Sequence, residues 1–378
     1  MLLLDKAEFP RDKTCGDGLT PRAVGVLEDL GLLFEVSRAG QEISGVEIYA
    51  PDGFATGAAL PRRPGGAAPM LVVPRLVLDD LVREHAVSRG ACFGGGVLVT
   101  DVERAGTGVV VRGRRRGCPL AIRARMAIIA TGAAVPLLAR LGLLRKTPRM
   151  MLAARAYYEG VGGLSDRVQI RFDHVPLPGY GWVFPLSPSA ANVGAGFFPP
   201  PRSRKRLPPT PLAAFDRFVG AGTLGTLLRG AHRIGPIKGY PLRVDFPDAP
   251  VSVRGVLLVG EAAGLVNPLT GEGIDYALES AQIAAEHASR MLSVNGRGEE
   301  EHTEYERLLH TRFGRLFGFC RRLRDATVHT VLLNQLVRVA ARRDDLKMRL
   351  IDVLLGAREI PAHLSTRTAL RKAYSLIR

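Results

Sequence analysis

Two kinds of apolar pattern run along the 378-residue chain. Short, wholly apolar runs read as buried strands: residues 2–5, Leu-Leu-Leu ending in Asp5, then Met126 to Gly132, then Gly255 to Gly260. Helical spacing fills the intervals. Pro21 to Leu33 predicts a helix with Thr20 as N-cap, Pro21 in the first position and Gly31 as the stop. Pro74 introduces an amphipathic helix, Arg75 to Arg89, with Leu76, Leu78, Leu81 and Val82 on its apolar side. Glu42 to Tyr49, the region around Ala58, and residues 96–103 and 107–112 are strand-like. From Leu152 to Phe198 the pattern changes to longer β segments with turn residues between them. A Pro/basic loop (199–211) follows, then a helix from about Gly273 to Leu292, and then a basic helical tail. In that tail the apolar spacing runs through Leu308, Leu309, Phe313, Leu316, Phe317 and Leu323. There is no internal repeat. Buried strands alternating with helices, interrupted by a β-rich block, predict an α/β fold with an inserted sheet domain.

Composition narrows the classes. Hydrophobic residues make up 46% and charged ones 23%, which excludes general disorder. The formal charge is +16, half of it after residue 300. An excess of that size suits nucleic acid, an anionic membrane surface or phosphate-bearing ligands. With no zinc-finger spacing, RNA-binding aromatic motif or zipper beside it, a nucleic-acid partner is not expected. Cys15, Cys92, Cys118 and Cys320 form no CxxC pair. A disulfide framework is therefore not expected, and a cytoplasmic location is. His174 and His232 lack partners at ligand spacing, so no metal is expected. The first residues do not read as a signal peptide, and no run approaches the ~18 apolar residues a spanning helix needs.

Three turns follow buried strands: the acidic end at Asp5, Ala130-Thr131-Gly132, and Gly260-Glu261-Ala262-Ala263-Gly264. In doubly wound sheets ligands bind at such strand ends. Each turn alone is bland. A carboxylate ending a strand could hold a ribose, small residues let a flat cofactor approach the backbone, and the helix starting near Gly273 offers amide groups to an anion.

Six ordered motifs carry a more specific resemblance: PRDKTCGDGLTPRAV (10–24), VPRLVLDDL (73–81), ATGA (130–133), PGYGWVFPL (178–186), NVGAG (192–196) and GEAAGLVNPLTGEGIDYALES (260–280). Together they resemble the geranylgeranyl reductase family of FAD-dependent oxidoreductases, in particular actinobacterial-type enzymes that saturate an isoprene unit of menaquinone. The resemblance runs from residue 1 to about 290. It implies a Rossmann-like, para-hydroxybenzoate hydroxylase-like parallel sheet binding FAD, with an inserted antiparallel β substrate domain and a C-terminal helical region. The expected division is an FAD-binding domain over 1–150 with a small β insertion at 42–72, a substrate domain over 151–250, a return segment over 251–295, and a basic helical region over 296–378.

By position, Asp5 would hold the adenosine ribose, and Arg11 and Arg75 would contact the cofactor. Cys15 and Gly16 would lie near the flavin ring. Thr131 and Gly132 would line the cofactor cleft, and Gly260, Glu261, Gly271, Gly273 and Ile274 would lie along the rest of FAD. Glu261 departs from the family's usual Asp by one methylene. Catalytic roles fall to Cys15, Tyr180 and Trp182, the last two sharing a strand face that lines a greasy tunnel in the family. Core packing is the competing account for that face, as it is for Phe184 and Pro185.

One expected motif does not appear. A dinucleotide unit carries GxGxxG about 20 residues before its ribose carboxylate, and only four residues precede Asp5. The one pattern match, Gly220 to Gly225, follows a helical segment and is read as a loop. A start assigned too far downstream or a decayed protein would explain this, with exposed strand edges and weakened FAD binding as expected consequences.

The resemblance implies reduction of polyprenyl C=C bonds by hydride from reduced flavin, with NAD(P)H or another reductant as electron source. The partners are a polyprenyl lipid or quinone and a peripheral membrane surface on the inner face of the cell membrane. The rival readings are an FAD monooxygenase or hydroxylase of the same fold and a truncated, non-catalytic paralogue.

Overall fold

The β-rich block closes into a seven-stranded sheet whose spatial order is His232–Leu242, Met151–Glu159, Ala190–Phe197, Gly179–Ser187, Arg167–Arg171, Gly45–Tyr49, Ala55–Ala59. In the computed structural model, residues 1–144, 146–199, 209–253, 255–293, 300–327 and 330–356 are described. All neighbours in the sheet are antiparallel except Arg167–Arg171 with Gly45–Tyr49. That parallel pairing carries part of the 42–72 stretch into the large sheet. The remainder, Gln41–Ile43 and Met70–Val72, joins Gly18–Leu19 in a separate three-stranded sheet.

The parallel strands fall into two small sheets where the sequence predicts one. Leu2–Leu4 pairs with Cys92–Gly94, and Ala127–Ile129 pairs with Val256–Leu258. No described strand joins the two. A three-stranded meander over Val97–Ala105, Gly108–Arg115 and Cys118–Ala124 lies between them in sequence.

Local chemistry explains the helices that matter for the site. Pro21–Asp29 starts as its sequence predicts: the Thr20 side chain accepts from the Ala23 amide, and Pro21 has no amide to leave unpaired. Its buried side is Ala23, Val24, Val26 and Leu27. Arg75–Ser88 begins after Pro74, whose fixed φ suits a helix start. Ile274–Ser293 packs its buried face, including Tyr276 and Ala284, onto the Val256–Leu258 strand.

The basic tail is helical where it is described, and many of its apolar positions are core, with Val331 and Val353 left exposed. Leu309, Phe313 and Phe317 are fully buried, in one cluster with Leu257, Leu258 and Tyr276. Val337 and Ile351 belong to a second cluster with Val46 and Ile48 of the large sheet. The Pro/basic loop and the last part of the tail lie largely outside the described residues. No helix among the described residues is long and apolar enough to cross a membrane.

Candidate active site

One face of the large sheet carries an aromatic ladder. Tyr180, Trp182 and Phe184 alternate along Gly179–Ser187, with ring centroids 6.1 Å and 6.3 Å apart. The neighbouring strand presents Asn192, Gly194 and Gly196 opposite Phe184, Trp182 and Tyr180. The glycines are a steric requirement. A Cβ on Gly194 would lie 2.1 Å from the Trp182 ring, and one on Gly196 would lie 2.7 Å from Met151 Cε. The NVGAG motif is thus the flat bed on which the indole lies.

The loop at residues 12–18 crosses this face. Its Gly16 sits 3.2 Å (as an added Cβ) from Phe184 and 3.3 Å from the Trp182 nitrogen, so no larger residue fits without displacement. Asp12 pairs with Arg155 at 2.7 Å and with Lys238. Against the opposing effect of burial, Lys238 and Arg155 hold the Asp12 carboxyl below its usual range. Asp17 is fully buried, with φ +66°, a left-handed conformation that Asp tolerates better than most residues. Its carboxylate accepts from Tyr157 Oη and Asn192 Nδ2, both at 2.8 Å, and from the Arg75 amide at 3.3 Å. Burial nevertheless lifts its pKa from 3.8 to about 6.

Burial pushes the Cys15 thiol up, while the charge of the nearby Arg75 guanidinium opposes that shift. At neutral pH the group is a protonated thiol beside a cation. Tyr180 donates to the Thr270 carbonyl oxygen, and burial raises its phenol well above the ordinary range. Its proton is committed to that carbonyl.

Asp5, Arg11 and Arg75 come together through a residue the sequence reading passed over. Arg11 bonds Asp5 at 3.2 Å and Asp79 at 2.8 Å, and Asp79 takes Arg75 at 2.6 Å and 2.9 Å. The chain of charges therefore runs from the end of the Leu2–Leu4 strand to Cys15. In the sequence, Asp79 stands one helical turn after Arg75, the spacing of an ordinary surface pair.

Glu261 forms a second cluster. Its carboxylate accepts from Tyr240 Oη and the Arg243 amide, each at 3.1 Å, with Lys13 Nζ at 3.7 Å. Burial and then Glu261 push the Tyr240 phenol up to about 12. The Ala133 amide donates to Tyr240 Oη, and Gly132, at φ +65°, lies against the same hydroxyl, with Thr131 exposed beside it. Lys13 stands within one of the quoted motifs and Tyr240 within none, and both meet Glu261 only through folding. Gly260 is explained by packing: a Cβ would lie 2.9 Å from Ala277 Cβ.

The amides at the start of Ile274–Ser293 are not open to a ligand as the sequence suggests. Both Gly273 and Ile274 donate to Glu272 Oε1, at 3.0 Å and 2.9 Å. Glu272 turns back and caps its own helix, so an anion placed there must displace it. Burial pushes the Glu272 carboxyl up. It does the same to Asp275, with Glu272 adding to that rise.

These donors fit a flavin dinucleotide at several points. Asp5 is a quarter exposed, and its oxygens take one protein donor each, from the Ala7 amide and Arg11, leaving lone pairs for a ribose diol. Lys13 and Arg11 would supply cations for phosphates. Gly271, at φ +68°, would bring backbone close to a flat ring; a Cβ added there would lie 3.5 Å from Tyr180 Oη. The Gly220 to Gly225 match is a helix corner, joining Pro211–Val219 to Gly222–Leu227 beside an open cavity lined by Tyr158, Val219 and Arg229. Among the described residues no group of His, Cys, Asp and Glu could hold a metal.

No family model matches the chain. The chain is 35% identical over 352 residues to a menaquinone reductase of Mycobacterium tuberculosis, covering 85% of this chain and 77% of that protein. A menaquinone reductase of Mycolicibacterium smegmatis is 32% identical over the same shares. A digeranylgeranylglycerophospholipid reductase of Methanopyrus kandleri is 31% identical over 76% of this chain and 73% of that protein. Among solved structures, a geranylgeranyl bacteriochlorophyll reductase-like protein of Thermoplasma acidophilum superposes with a TM-score of 0.79 at 22% identity. It covers 98% of this chain and 92% of the other. A flavin-dependent brominase has the same fold, with a TM-score of 0.74 at 20% identity over 99% and 92% of the two chains.

Proposed function

The chain belongs to the geranylgeranyl reductase family of FAD-dependent oxidoreductases, and from that membership we propose that it saturates C=C bonds of a polyprenyl chain, either a geranylgeranyl group or a menaquinone side chain. The observation that carries the reading is the Tyr180–Trp182–Phe184 ladder with the Cys15 loop tied across it through Asn192.

Bound FAD in its reduced form supplies the hydride. Asp5 and Arg11 would hold its adenosine end. Arg75, Thr131, Gly132, Gly260 and Glu261 would lie along its middle, and Cys15, Gly16, Gly271, Gly273 and Ile274 beside the ring. An isolated alkene is a poor hydride acceptor, so the protein must align it and exclude water. The aromatic ladder gives the isoprenoid a flat apolar surface. Cys15 holds the proton destined for the neighbouring carbon, and the Arg75 guanidinium, fixed by Asp79, stabilises the thiolate left behind. Tyr180 positions the Thr270 turn rather than giving up its proton. Electrons would come from NAD(P)H or another reductant. The polyprenyl substrate would be met at a membrane surface, where the protein rests peripherally.

The test is anaerobic reduction of a polyprenyl quinone by the chain purified with FAD. The expected product gains two hydrogens per bond. Cys15→Ala should lower kcat about 10²–10⁴-fold, the usual worth of a positioned acid. Oxygen consumption with an aromatic substrate and no polyprenyl product would instead assign a hydroxylase. A folded chain that retains no flavin would be a non-catalytic relative.

A further inference from the structure

Every polar atom of one fully buried side chain, Asn192, is spent on the proposed catalytic face. Its Oδ1 accepts from the Trp182 indole at 2.9 Å, and its Nδ2 donates to the Cys15 carbonyl oxygen and to Asp17 Oδ2, each at 2.8 Å. The indole nitrogen can only donate, which fixes the carboxamide's orientation. Both amide hydrogens then point at the Cys15 loop. Asp17 is secured independently by Tyr157 and by the first amide of Arg75–Ser88. Two elements far apart in sequence, the loop that carries Cys15 and the strand that carries Trp182, are thus joined through one side chain.

We propose that Asn192 is the positioning residue of this site, a clamp that holds Trp182 and Cys15 in fixed relation and is itself held by the ionised Asp17. Its bearing on catalysis rests on the function proposed above; its bearing on structure does not. Three donors converge on the Asp17 carboxylate, and protonating it removes the charge that strengthens all three bonds. The charged and titratable groups facing it are Tyr157 and Arg155 from the large sheet, Arg75 from the helix, and Cys15 from its own loop. Tyr157 and Cys15 are both pushed up by burial, which leaves Asp17 as the group that changes near pH 6.

Trp182 is the only tryptophan, so its emission reads the clamp directly, with or without FAD. Expected is a change in the fluorescence of the wild-type chain with a midpoint near pH 6, absent in Asp17→Asn and in Asn192→Leu. Asn keeps the shape of Asp17 and tolerates its left-handed backbone, so Asp17→Asn decides the matter even where Asn192→Leu fails to fold. In the FAD-loaded enzyme, Asn192→Leu should lower kcat about 10²-fold, the effect of a misplacement of about 1 Å, with KM changed much less. Emission that is flat from pH 5 to 8 in the wild type, or a titration that persists in Asp17→Asn, overturns the clamp. Absence of polyprenyl reduction with the titration intact overturns the proposed function instead.

Discussion

At Gly194 the site depends on the absence of a single carbon. A Cβ there would stand 2.1 Å from the Trp182 ring, and the ring has little room to move because its nitrogen is tied to Asn192. Gly194→Ala should destabilise the fold by about 1–3 kcal/mol, as overpacking does, and shift the tryptophan emission; chemical denaturation followed at Trp182 measures both. Asp17 is constrained electrostatically. Its folded pKa, about 6, lies above its ordinary 3.8, so between those values the native chain holds a proton the unfolded chain has lost. Asp17 therefore favours the fold most below about pH 4 and loses that contribution, about 3 kcal/mol, as pH rises through 6. Asp17→Asn removes the titration. The stability of the variant relative to wild type should rise between pH 4 and 7, and parallel stability curves across that window would refute the assignment.

At the scale of elements, the helix Pro21–Asp29 joins local sequence to the site. Thr20 caps it and also donates to Asp275 Oδ2 at 3.4 Å, so one hydroxyl serves two helix starts. Thr20→Ala should cost about 1 kcal/mol for the cap, and more through the buried Asp275 left with one donor fewer, while Thr20→Ser should recover most of it; thermal melts of the two variants make the comparison. That helix was legible because its signals are local: a capping hydroxyl, a proline and a glycine within a dozen residues. The shared face of Tyr180 and Trp182 was legible for the same reason, since alternation on a strand needs no partner. What escaped the sequence was long-range or self-cancelling. Asp79 looked like half of a surface pair, yet it also takes Arg11 from 68 residues away. Asn192 stood in a quoted motif without a role, because a buried amide declares its purpose only through what it touches. Glu272 undid a prediction outright, since a carboxylate next to a helix start can satisfy the amides that seemed open to a ligand.

At the scale of the whole molecule, much of the described tail's apolar side is buried in two cores, and several of its cations are used as struts. Arg338 pairs with Asp52 and stacks on Phe54, Arg321 pairs with Asp248, and Arg312 reaches Glu279 at 2.9 Å. These are exposed or half-exposed pairs, of the kind worth no more than about 1 kcal/mol each, so they fasten the tail without neutralising the chain. The net +16 stays on the surface as a long-range field. A peripheral enzyme meeting a lipid substrate can use that field directly, at about 1 kcal/mol for each cation close to an anionic surface. The chain should therefore sediment with vesicles containing acidic phospholipid and leave neutral ones in the supernatant. Salt separates this from insertion of an apolar face: raising ionic strength from about 0.1 M to 1 M cuts the screening length from about 10 Å to 3 Å, and binding should fall steeply with it. Binding that survives 1 M salt, or that is equal on neutral vesicles, would put the membrane contact on exposed apolar side chains such as Phe34 and Val331 instead of on charge.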